Sequence, residues 1–159
     1  MLPHHQTLLA YERHATAQVA DALTSVPPEA RVRPEYAKAL SIFAHTQQAA
    51  YLWLARLGGI QPRPFNMFPD WTVEQTVADA AAVHEGWQRF LDALSTGDLT
   101  RAVEYTSTEG ARYRGTVGDI VTHVFNHASY HRGQIAMLVT ALGGTRAVTD
   151  YIAFTRLRV

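Results

Sequence analysis

Three histidines recur at four-residue intervals in the last third of the chain: His123, His127 and His131. The apolar residues around them repeat with a helical period, which predicts an amphipathic helix with His127 and His131 on its apolar stripe. Residues four apart lie on one helix face, about 6 Å apart along the axis. Both imidazoles can therefore bind one metal ion through bonds of about 2.0–2.1 Å. Because His123 lies about 12 Å along the axis from His131, a single ion needs a third ligand from elsewhere in the fold.

The composition is that of a globular protein. The chain has 159 residues, of which 47% are hydrophobic and 18% charged, and this suits one domain spanning residues 1–159. Its 14 basic and 14 acidic residues balance, so no basic surface favours nucleic acid. No apolar run approaches the roughly 18 residues of a membrane span. The first residues lack the pattern of a secretory signal, and we expect a cytoplasmic protein.

The chain contains no cysteine. This excludes disulfides, thiolate zinc sites and a nucleophilic thiol of the protein's own. Imidazole is then the expected ligand for a borderline-soft metal ion. If the protein performs thiol chemistry, the thiol must arrive as a substrate.

Periodicity and breakers predict an all-α fold, a four-helix bundle. Thr72 with Gln75 forms a potential capping box for the third helix, and Thr116 with Asp119 caps the fourth. The predicted helices cover approximately residues 6–23, 35–57, 73–94 and 117–142. A proline-rich connection at 61–70 is expected to lie over the bundle, and residues 102–115 are expected to form a short hairpin or irregular excursion before the last major helix.

Bundles hold metal ions with inward side chains from facing helices. On periodicity, His45 of the second helix and His84 of the third both qualify as the third ligand. His14 is a weaker candidate because it lies beside the apolar stripe of the first helix. His123 is interpreted as a supporting or surface residue. Periodicity alone does not choose between His45 and His84.

The sequence resembles the DinB/YfiT-like family over nearly its whole length. The most specific part is HASYHRGQI at 127–135, preceded by GDIVTHV at 118–124. Shorter matches are LAYE at 9–12, YLWL at 51–54, and GGT at 143–145 ahead of DYI at 150–152. In that family, a histidine early in the second helix and two in the last major helix hold a divalent metal. By this resemblance the ligands are His45, His127 and His131. The chain departs from the family at His14, where a tryptophan is common.

The resemblance implies a homodimer from a damage-inducible family of metal-binding bundles. Histidine ligation favours zinc or nickel as the metal, with iron, copper and manganese as alternatives. Characterised relatives include transferases and isomerases that use low-molecular-weight thiols such as bacillithiol or mycothiol. The leading hypothesis is therefore a thiol-dependent transferase acting on an electrophilic small molecule, with a metal-dependent hydrolase as a variant. The alternative is a non-catalytic, stress-associated metal- or ligand-binding protein.

Residues beside the histidines have predicted roles of their own. Arg132 has two interpretations: it attracts an anionic substrate, or it forms a salt bridge at the surface or a dimer interface. Gly133 is expected to let a neighbouring helix approach closely. Gln134 is expected to orient a ligand histidine. Trp53 is interpreted as a packing residue.

Overall fold

The protein forms a bundle of four long helices, as predicted. The structure, a computed structural model, describes residues 2–157, so the ends of the predicted domain at Met1 and 158–159 lie outside the described residues. The long helices are α1 (Leu2–Thr24), α2 (Pro34–Arg56), α3 (Val73–Ala93) and α4 (Val117–Ala141). A short helix, α5 (Tyr151–Thr155), follows, and single 3₁₀ segments occupy Pro28–Ala30 and Thr96–Thr100. The predicted helix limits are confirmed to within a few residues.

The packing of the helices decides which side chains can meet. Helix α4 packs mainly on α2 and α1, and α3 packs mainly on α1 and α2. Helices α3 and α4 therefore lie diagonally across the bundle. Side chains from α2 and α4 face each other directly, whereas an inward residue of α3 points towards α1 or α2.

Local sequence explains where the helices begin and end. Thr72 and Gln75 form the predicted capping box at the start of α3, with the Thr72 amide donating to Gln75 Oε1 over 2.9 Å. At the start of α4, the Thr116 hydroxyl accepts from the Asp119 amide at 3.1 Å. Gly143 follows α4 with φ of 79°, a conformation that glycine adopts without strain.

Of the two forms predicted for residues 102–115, a hairpin and an irregular excursion, the structure shows the hairpin, which lies between α3 and α4. Strand β1 (Ala102–Thr106) pairs antiparallel with β2 (Arg112–Thr116), and Tyr105 lies opposite Tyr113. The second strand runs directly into α4. The side chain of Arg56, the last residue of α2, donates to the Thr106 carbonyl over 2.6 Å. The hairpin is thereby joined to the ends of two helices.

A buried polar layer divides the apolar core into two parts. One apolar cluster includes Leu54, Trp87 and Phe125, and the other includes Phe43 and Ile135. The buried polar residues between them are Glu12, Thr16, Thr46, Gln47 and Arg132. The histidines at positions 45, 127 and 131 lie at the same level of the bundle. Within residues 2–157, no helix combines the length and apolar character needed to cross a membrane.

Candidate metal centre

Three histidine side chains converge where α2 faces α4. His45 comes from α2, and His127 and His131 come from successive turns of α4. Nε2 of His127 lies 3.4 Å from Nε2 of His45 and 3.1 Å from Nε2 of His131. One ligand nitrogen from each ring lies within 4.8 Å of the others. His45 is buried and the other two are half-buried.

The second nitrogen of two of these rings is held by an oxygen acceptor. His45 Nδ1 lies 3.1 Å from the Met67 carbonyl oxygen, and His131 Nδ1 lies 2.7 Å from the Gln134 side-chain oxygen. A carbonyl oxygen only accepts hydrogen bonds, so each Nδ1 carries the proton. The Nε2 atoms of His45 and His131 then present lone pairs to the centre of the cluster.

This arrangement places more acceptors than donors at the centre. Nε2 of His127 carries at most one hydrogen, which can satisfy only one of the two facing lone pairs. The remaining pair of nitrogens then has no hydrogen between them and repels. A cation at the centre accepts the lone pairs of all three rings once His127 carries its proton on Nδ1. The donor set therefore fits a metal ion better than it fits a hydrogen-bonded trio.

The two separations from Nε2 of His127 also suit a single ion. Two nitrogens bound at about 2.0–2.1 Å lie about 2.8–3.0 Å apart when their bonds are perpendicular and about 3.3–3.4 Å apart when the site is tetrahedral. The observed 3.1 and 3.4 Å fall in that interval. The cluster can therefore hold a metal ion.

The surroundings of the rings favour their neutral forms. Burial, together with the neighbouring His131 and His45, lowers the pKa of His127 to about 4. Burial likewise lowers the pKa of His45, an effect partly offset by the Met67 carbonyl and reinforced by His131. Neutral imidazole is the form that binds a metal. Both rings are therefore ready to bind one near neutral pH.

Two histidines of the cluster, His45 and His127, line an open cavity. The connection between α2 and α3 lies over His45, as predicted, and the Phe68 ring stacks on the imidazole at 4.5 Å. The cavity has a volume of about 300 Å³. Its walls come from α2, the connection, the hairpin and α4, through His45, Ala49, Leu52, Trp53, Arg56, Met67, Tyr105, Ser107, Thr108, Tyr113 and His127.

Comparison with known proteins accords with this architecture. The sequence model of the DinB family matches residues 1–158. The chain belongs to the DinB family. A search of curated proteins finds no match to it.

The remaining histidines of this DinB bundle lie outside the cluster. His84 is buried on α3, where its main-chain carbonyl accepts from Arg13 of α1 over 3.1 Å. His14 is exposed and contacts the Phe154 ring at 5.4 Å. His123 is exposed and lies edge-on to Trp53 at 5.4 Å. Its position beside the cavity agrees with the supporting or surface role predicted for it.

Three predictions about neighbouring residues have different outcomes. Gln134 orients His131, as expected. Both interpretations of Arg132 are wrong, because it is buried and pairs with Glu12 of the same chain at 2.6 Å. The prediction for Gly133 is also wrong: a Cβ built there meets no atom within 4 Å. Arg132 follows Ala128 by four residues and precedes Ile135 by three, so the helical period already placed it inward.

Sequence reasoning missed the cavity walls. Trp53, interpreted as a packing residue, is half-buried and lines the cavity. Arg56 was not singled out, although a helical period places it on the same face as Ala49 and Trp53. The Met67 carbonyl carried no signal, because a backbone group leaves no mark in a residue pattern.

Proposed function

We propose that this DinB protein binds one divalent metal ion through His45, His127 and His131 and uses it to activate an exogenous low-molecular-weight thiol for transfer to an electrophilic small molecule. One observation carries the proposal: three Nε2 atoms converge at the wall of an open cavity, and oxygen acceptors direct two of their lone pairs inward. Zinc or nickel is the metal we propose first, since both accept imidazole ligands.

The ligand number supports an open site. Three neutral imidazoles supply no negative charge and leave at least one coordination position free, unlike the four protein ligands of structural zinc. When bound, a divalent ion would supply Lewis acidity that lowers the pKa of an incoming thiol, so that thiolate forms near neutral pH. The chain contains no cysteine, so the nucleophile in this proposal comes from outside.

The surrounding residues have supporting roles in this proposal. Met67 and Gln134 fix the tautomers of His45 and His131, which keeps both lone pairs directed at one point. Phe68 covers one face of the His45 ring and excludes water from it. The cavity beside the histidines gives a thiol and an electrophile space to meet. These groups bind and orient, while the reacting sulfur would come from the cosubstrate.

The first test is metal content. Untagged protein should contain about one equivalent of divalent metal by elemental analysis, and His127→Ala should lose it. His14→Ala is the matched control, because it removes an exposed imidazole on α1, outside the cluster. Absence of metal from the unmodified protein, even after reconstitution with zinc and with nickel, would refute the metal site.

The second test is thiol-dependent turnover. Fully loaded protein should conjugate a model electrophile with at least one cellular thiol, and His127→Ala should not. If loaded protein shows no turnover with any of the common cellular thiols, the transferase part of the proposal fails. The hypotheses left are then a metal-dependent hydrolase and a non-catalytic metal-binding bundle.

A further inference from the structure

The cavity beside the histidines has a charged end. One of its walls is a single face of α2, on which Ala49 and Trp53 follow His45 and Arg56 comes last. The eleven residues from His45 to Arg56 rise roughly 16 Å along the helix axis. The volume of about 300 Å³ is at the small end of the range for ligand sites. A ligand lying along this wall therefore has one end near the histidines and the other near Arg56.

Arg56 is held firmly at its end of the cavity. Its guanidinium carbon lies 4.7 Å from the centroid of the Trp53 ring and 5.4 Å from that of Tyr105. Its Nη2 donates to the Thr106 carbonyl over 2.6 Å. These contacts fix the plane of the guanidinium, and the hydrogen bond uses one of its five N–H donors. The group is oriented before any ligand arrives.

The positive charge of Arg56 has no acidic partner in the described part of the chain. Among residues 2–157, no carboxylate lies within 4.0 Å of it, and no Asp or Glu lines the cavity. The side chain is half-buried, and burial lowers its pKa because the charged form is poorly solvated there. A partly desolvated cation without a counter-ion gains more from an incoming anion than an exposed one does.

We propose that Arg56 binds the carboxylate of a small organic acid whose apolar body lies along Trp53 and the hairpin tyrosines, with its other end directed at the histidines. The planar guanidinium fork matches a carboxylate. Arg56 is the one Lys or Arg among the described residues that line the cavity, which favours a ligand with one negative charge there. The assignment of the other end as the reacting end rests on the proposed function, whereas carboxylate binding by Arg56 does not.

A purely structural role for Arg56 makes a different prediction. If the side chain only joined the hairpin to α2 through Thr106, its replacement would lower stability without changing which ligands bind. The test must therefore measure preference between two ligands of equal body and different charge. Octanoate and 1-octanol form such a pair.

The experiment compares the dissociation constants of octanoate and 1-octanol for the full chain, freed of metal by a chelator, using calorimetry. We expect unmodified protein to prefer octanoate by about tenfold, as one charge-assisted hydrogen-bonded pair allows. Arg56→Gln should abolish the preference, and Arg56→Lys should keep part of it. Arg89→Gln is the matched control, since it removes an exposed arginine of α3. An unchanged preference in Arg56→Gln would overturn the proposal, as would no preference in the unmodified protein.

Two further measurements keep the outcomes distinct. If Arg56→Gln does not fold, the test uses Arg56→Lys and the NMR resonance of the Trp53 indole in the unmodified protein. Octanoate should shift that resonance more than 1-octanol does. Equal shifts would overturn the proposal. In metal-loaded protein, 8-mercaptooctanoate should bind more tightly than 8-mercapto-1-octanol, again through Arg56. An Arg56-dependent preference in protein that takes up no metal would leave the carboxylate site standing and refute the metal function. If metal-loaded protein shows the same preference for the carboxylate ligand with and without Arg56, the carboxylate site is overturned and the metal function stands.

Discussion

The side-chain oxygen of Gln134 lies 2.7 Å from Nδ1 of His131, one turn earlier on α4. Because this contact holds the proton on Nδ1, it directs the Nε2 lone pair towards the cluster. Removing such a partner weakens metal binding about 10–100-fold in proteins where it has been tested. We expect Gln134→Leu to weaken zinc affinity by that factor, measured by competition with a chromophoric chelator. Gln88→Leu, which changes an α3 glutamine bonded to Asp92, should leave the affinity unchanged.

Metal removal should lower the stability of the protein. An ion that binds only the folded chain stabilises it by about 2.7 kcal/mol when its free concentration is 100 times its dissociation constant. We expect zinc at that concentration to raise the melting temperature of chelator-treated protein, followed by calorimetry. His123→Ala should retain the increase, and His131→Ala should lose most of it. An equal increase in His131→Ala would show that the ion binds elsewhere.

The ion pair between Arg132 and Glu12 is buried in the polar layer, with Nη1 2.6 Å from Oε2. Burial raises the pKa of Glu12, while Arg132 lowers it. Arg132→Met should destabilise the protein by about 3–5 kcal/mol, because it leaves a buried carboxyl without its partner. The double change Glu12→Leu with Arg132→Met should recover most of that loss, as urea denaturation can show. A double variant no more stable than Arg132→Met would contradict this account.

His84 should make stability depend on pH. Burial, together with the nearby charge of Arg13, lowers its pKa from 6.5 to about 4 in the folded protein. As the pH falls below about 6.5, the unfolded chain takes up the proton first. Stability is therefore complete above that pH and falls until about pH 4, by about 3 kcal/mol in total. Denaturant unfolding of metal-free protein across this range should show the fall.

His84→Gln supplies the control for that pH dependence. Glutamine does not titrate, so the difference in unfolding free energy between the variant and the unmodified protein should change by about 3 kcal/mol between pH 7 and pH 4. The histidines at positions 45 and 127 titrate in both proteins, and their contribution cancels in the comparison. A difference that stays constant with pH would mean that His84 is accessible to protons in the folded state.

Sequence periodicity and capping residues were sufficient to predict the helices, whereas residues 102–115 were predicted only as a hairpin or an irregular excursion. The apolar stripes, Thr72 with Gln75, and Thr116 with Asp119 are local signals, and local contacts form as they predict. The choice between His45 and His84 needed more than local signals. Both residues face inward, but α3 lies diagonal to α4, so His84 meets α1 instead of the other two histidines. Family resemblance supplied this information, and spacing could not.

The misjudged residues share a cause. Arg132 was expected to attract a substrate or to form a salt bridge at the surface or a dimer interface, yet its partner Glu12 is 120 positions earlier in the same chain. Arg56 lines a cavity because the hairpin lies over the end of α2, where Arg56 contacts Thr106. In both cases the deciding contact joins distant segments. A pattern read along one helix does not contain it.

The support for His45 is a main-chain carbonyl, whereas the support for His131 is a side chain. Any amino acid at position 67 still presents that carbonyl. Substitutions there should therefore leave the tautomer of His45 unchanged, provided the backbone conformation of the connection is kept. Position 134 has no such freedom, because few side chains can place an acceptor at the same point. Mutational tolerance should therefore be uneven around the cluster: broad on the connection before α3 and narrow on α4.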